Sequence, residues 1–212
     1  MNNLDNLINI TLDFYKSIGF DLSEFKVINY PSFEDAPIIY KQQKLIFLSL
    51  DIFSYEQGFY QLVHECCHAC FKKTPTSFLW FEEILCSAAS FFFFDKTPQY
   101  RQYQENALNK NRKYLFKNDT EINTFIKQNE RNYRENERLV YLPSSSISIS
   151  HVIYDFKPEN FNFWVALKLI AQAVNQTTNE IYFPNDILEK AQSMACTEQE
   201  ITSINFLKKL FV

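Results

Sequence analysis

Residues 64 to 68 read His64-Glu65-Cys66-Cys67-His68, an H-E-x-x-H pattern. On a helix this spacing stacks two imidazoles one turn apart, with a glutamate between them that can work on a metal-bound water. The chain has three histidines, and two of them fall in this motif. A short way downstream, Trp80-Phe81-Glu82-Glu83 carries two acids, either of which could complete a three-ligand zinc site.

At about 100° per residue, His64 and His68 lie about 40° apart, and Glu65 sits about 60° to one side of His68. That offset suits a base that reaches the metal's water without ligating the metal. Cys66 and Cys70 fall on the opposite face with Phe59, Leu62 and Val63, so they read as core. Cys67, about 60° from His64, stays open as a neighbour of the site. Cys67 and Cys70 form a lone C-x-x-C, and a structural zinc site would need a second such pair. Glu82 and Glu83 are about 100° apart, so one of them, not both, is expected to face an ion. The plainer reading is two satisfied core histidines, with acids placed near a helix start by the dipole.

These groups need a scaffold, and the composition says which kind. The 212 residues include 22 Phe and 12 Tyr but only two glycines, Gly19 and Gly58. Hairpin turns draw on glycine, so the expected class is α+β and mainly helical. A small N-terminal sheet would pack on the H-E-x-x-H helix and a helical C-terminal half would follow. One domain is expected over 1–212, with the sheet and motif helix in about 20–94 and helices over about 98–212. The net charge is −4. The basic side chains of 101–140 are interspersed with acids, which fits a solvated helical face and no nucleic-acid partner. No signal peptide is expected at Met1-Asn2-Asn3-Leu4-Asp5. Phe91 to Phe94 is too short a run to cross a membrane. Five cysteines, mostly in helical patterns, fit reduced thiols and a cytoplasmic location.

Along the chain, apolar residues recur at helical spacing from Leu4 to Ile18, with Gly19 as the stop. Pro37 to Tyr40 and Leu45 to Leu50 flank Lys41-Gln42-Gln43-Lys44 as a hairpin. Ser54 and Gln57 form a capping box that opens the motif helix, which should run to about Phe71. The next helix spans about Phe78 to Phe94. Further helices are expected near 99–117, 120–138, 160–175, 185–194 and 198–210. The Ser and Ile alternation from Ser146 to Ser150 predicts a short strand or extended segment; in a strand His151 shares a face with Ile147, Ile149 and Ile153, as a buried structural histidine would.

His64-Glu65-Cys66-Cys67-His68 followed by Trp80-Phe81-Glu82-Glu83-Ile84-Leu85-Cys86 resembles the gluzincin class of zinc metallopeptidases. The likeness covers about residues 44 to 94. It implies Zn2+ held by His64, His68 and, by the W-x-x-E match, Glu83, with Glu82 the runner-up. It also implies Glu65 as general base and a protein or peptide as substrate. The class suggests that the sheet edge, here Leu45 to Leu50, holds substrate backbone by strand addition. A downstream Tyr or His commonly donates to the oxyanion, which makes His151 the first candidate, with Tyr141 and Tyr154 behind it. Ser87 stands where the class often has an aspartate, so the usual hydrogen-bond partner of a ligand histidine is missing from that position. Phe71 and Thr74 occupy the places of the metzincin glycine and third histidine. The expected activity is therefore zinc-dependent peptide hydrolysis, and the alternative is a zinc-binding regulatory or interaction protein on the same fold.

Overall fold

A computed structural model of the chain describes residues 3–30, 37–49, 55–95, 143–155, 157–178 and 183–211, with isolated positions between 121 and 135. Among these residues the order is α1 (Asn3–Ser17), β1 (Lys26–Asn29), β2 (Ile38–Tyr40), β3 (Leu45–Leu48), α2 (Tyr55–Ala69), α3 (Leu79–Phe94), α4 (Pro143–Asp155), α5 (Phe163–Asn175), α6 (Pro184–Met194) and α7 (Glu198–Phe211). A 3₁₀ turn, Thr76–Phe78, leads into α3. The class is α+β and mainly helical, as the scarcity of glycine predicts. The described positions between 121 and 135 are helical. Ser54 and the expected helix near 99–117 lie outside the described residues.

The three strands run in the order β1-β3-β2, with β1 parallel and β2 antiparallel to β3. The hairpin is where the sequence puts it, and Lys44 closes its turn at a φ of 55°. β3 is the central strand, however. Ile46 and Phe47 are paired on one side with Val27 and Ile28 and on the other with Ile39 and Ile38. The segment from Leu45 to Leu48 therefore has no free edge for strand addition, and among the described residues the edges of this sheet are β1 and β2. The parallel β1–β3 pairing is a long-range contact that no local pattern encodes. Ile46 and Leu48 are buried, while Leu45 and Phe47 on the other face are half-buried.

The second correction concerns Ser146 to Ser150, which belong to α4 and not to a strand. Five alternating residues are a weak period-2 signal. The 3.6-residue period wins here because Ile149 and Ile153, one turn apart, are both fully buried. Ser150, also buried, donates to the Ile84 carbonyl at 2.7 Å and ties α4 to α3. α3 is the centre of the packing. Every residue from Trp80 to Phe94 is buried except Glu83. A helix apolar all round has to be enclosed, and α2 and α4 pack against it. Its aromatic end stacks Phe92 on Phe163 of α5 at 4.7 Å. No helix among the described residues is long and apolar enough to cross a membrane.

Candidate metal centre

α2 and α3 bring the motif residues together. His64 and His68, one turn apart on α2, place their Nε2 atoms 3.2 Å from each other. Glu83 reaches across from α3, with Oε2 3.2 Å from His64 Nε2 and Oε1 3.2 Å from His68 Nε2. Bonds of 2.0–2.1 Å to a tetrahedral ion put neighbouring ligand atoms about 3.3 Å apart, so the three groups already have the spacing such an ion demands. The His64 and Glu83 side chains are 15 % and 31 % exposed, so the group is not sealed inside the core. Glu83 is thus the single break in the buried surface of α3 after its first residue.

Glu82 lies on the other side of the same imidazole. Its Oε1 is 2.6 Å from His68 Nδ1, and its side chain is fully buried. Two adjacent carboxylates, about 100° apart on the helix, therefore bracket one histidine. Burial alone would lower the His68 pKa, but hydrogen bonds to Glu82 and Glu83 outweigh it and raise it well above the usual value. Burial also opposes ionisation of Glu83, yet bonds to His64 and His68 hold its carboxyl well below the ordinary range.

Lys41, in the β2–β3 turn, donates to Glu82 Oε1 at 2.8 Å and to Thr74 Oγ1 at 3.0 Å. The sequence shows Lys41 only as a polar turn residue, because 41 positions separate it from Glu82 and no spacing rule joins them. Thr74 is equally silent.

Glu65 is 4 % exposed. Burial raises its pKa, and the charges of His64 and His68 offset only part of that rise. Cys66, Cys67 and Cys70 are buried, as is Cys86 of α3. Burial pushes the Cys66 thiol far up, so it is an inert core group. His68, Glu82 and Cys86 also stand close enough to be considered as a ligand group.

His151 sits on α4 with Nδ1 2.7 Å from Asp155 Oδ2, and its ring lies 6.1 Å from that of Phe91. Phe91 in turn contacts Tyr60, which stacks on His64. Two rings thus lie along the contact path between His151 and His64, and the structure does not bring His151 into the His64–His68–Glu83 group. Tyr154 donates to Asp95 at 2.5 Å. Tyr141 lies outside the described residues. No protein-family model, curated protein or solved structure matches the chain.

Proposed function

We propose that the chain is a zinc-dependent peptidase of gluzincin type, its ion held by His64 Nε2, His68 Nε2 and an oxygen of Glu83. The observation that carries this reading is the mutual 3.2 Å spacing of the three ligand groups, two of whose side chains are partly exposed. Two neutral imidazoles and a carboxylate are a donor set that suits zinc, and three protein ligands leave a position for water. A zinc ion held there would polarise a peptide carbonyl and bring the pKa of a coordinated water down to about 7.

Glu65 would accept the proton that this water gives up on attacking the carbonyl carbon, then deliver it to the leaving amine. Its buried setting, which raises the carboxyl pKa, moves it towards the range where a general base works best. Glu83 would contribute charge as well as geometry, since an ionised carboxylate offsets part of the ion's charge in a partly buried site.

The test is elemental analysis of protein purified without added metal, followed by a peptide-library digest. One zinc per chain, lost in Glu83→Ala, with hydrolysis lost in Glu65→Gln, is the expected outcome. A chain without zinc would overturn the reading. Zinc without hydrolysis of any peptide would move the site to the regulatory or interaction role.

A further inference from the structure

We infer that Glu82 and Lys41 are positioning residues for His68: Glu82 sets the tautomer and aim of the imidazole, and Lys41 holds the carboxylate in place. The inference deepens the metal reading above and rests on it.

Glu82 Oε1 is the shared atom, 2.6 Å from His68 Nδ1 and 2.8 Å from Lys41 Nζ. The first distance is too short for two ligands of one tetrahedral ion, which stand about 3.3 Å apart, and it lies in the range of a charge-assisted hydrogen bond. His68 Nδ1 and Glu82 Oε1 therefore stand as donor and acceptor and not as two ligands, while Glu82 Oε2 is buried without a hydrogen-bond partner among the described residues. An ionised carboxylate can only accept, so Nδ1 carries the proton. In the neutral ring Nε2 is then a bare lone pair, and it is the atom that faces His64 and Glu83. A fully buried carboxylate needs a partner, and Lys41 supplies the positive charge. Thr74 holds a second Lys41 proton, so the hairpin, the α2–α3 connection and α3 meet at one ammonium group.

His64 makes the contrast. Its Nδ1 is buried without a hydrogen-bond partner among the described residues, and its ring is set instead by stacking on Tyr60. The two histidines are thus oriented by different devices, and only His68 should respond to Glu82.

The test measures Zn2+ affinity by competition with a chromophoric chelator, the Co2+ absorption spectrum, and the His68 ring tautomer by 15N NMR of metal-free protein with the imidazole neutral. The chains compared are wild type, Glu82→Gln, Lys41→Met and Lys41→Arg, with Glu83→Gln as the ligand-loss control. Wild type should show the Nδ1–H tautomer. Glu82→Gln should still bind one ion, with affinity roughly 10- to 100-fold weaker and an altered Co2+ spectrum. Lys41→Met should lose less in the same direction, and Lys41→Arg should restore the wild-type values. If Glu82→Gln does not fold, the two Lys41 variants carry the comparison. Unchanged affinity and spectrum in the variants would overturn the inference, as would an Nε2–H tautomer in wild type. Two ions per chain, or loss of binding in Glu82→Gln as complete as in Glu83→Gln, would make Glu82 a ligand instead. A wild-type chain that binds no ion would sink the metal reading alone, with the tautomer still deciding what Glu82 does.

Discussion

The Tyr15 hydroxyl donates to the Val63 carbonyl at 2.8 Å, inside the core and one residue before His64. It pins α1 to the turn of α2 that presents the first histidine. Val63 also accepts its ordinary helical bond, so removing the hydroxyl leaves no orphaned carbonyl. Tyr15→Phe should therefore cost only about 1 kcal/mol. Thermal unfolding should register a fall of about 2–4 °C, with zinc content unchanged. A much larger fall would mean that the hydroxyl holds more of the core than this one bond.

Removing the proposed zinc should destabilise the chain. Free zinc at 100 times its dissociation constant stabilises a binding-competent fold by about 2.7 kcal/mol. A chelator should therefore lower the melting temperature of wild type and leave that of His64→Ala unchanged. Equal melting curves for wild type with and without chelator would show that the ion contributes nothing to the fold.

Glu65→Gln should separate binding from chemistry. The substitution keeps the shape and removes the proposed base, so zinc content should stay at the wild-type level. Peptide hydrolysis should fall by a factor of about 10²–10⁴, the usual contribution of a positioned general base. Steady-state rates on one cleaved peptide, measured beside zinc content, decide the matter. Loss of both together would make Glu65 a structural residue.

At the other end of the chain, Thr197 and Glu200 form a capping box at the start of α7. The Cys196 and Thr197 amides each donate to Glu200 Oε2 at 2.8 Å, and Glu200 N donates to Thr197 Oγ1. These bonds hold the Glu200 carboxyl below its ordinary pKa in the folded chain. A depressed folded value means that the stabilisation is present above the unfolded pKa, near 4.3, and is lost as pH falls through the folded value. Denaturant unfolding at pH 6 and below pH 4 should show wild type converging on Glu200→Gln in acid. Parallel pH profiles would remove Glu200 from the acid response.

Much of this arrangement was legible because its signals are local. The H-E-x-x-H spacing, the W-x-x-E spacing and the apolar stretches that became α1, α3, α5, α6 and α7 can each be read within a window of twenty residues. The choice between Glu82 and Glu83 was half legible. The helical angle said that they would diverge, but which one faces Nε2 depends on how α3 rolls against α2. What could not be read comes from long-range contacts. β3 is central because β1 pairs with it in parallel, and Lys41 meets Glu82 only after the hairpin has docked. The helix α4 was hidden for a different reason, since Ser and Ile in alternation satisfy a strand pattern and a helix pattern over so short a stretch.

From Trp80 to Phe94, α3 is enclosed apart from Glu83, and that has a consequence for how the centre is lost. Amide protons between Ile84 and Phe93 have no local route to solvent, so their exchange should follow global opening. The helix that carries both glutamates would then not fray ahead of the rest. Inactivation by heat or denaturant should coincide with unfolding, and no partly opened form would keep the core while releasing the glutamates from the histidines.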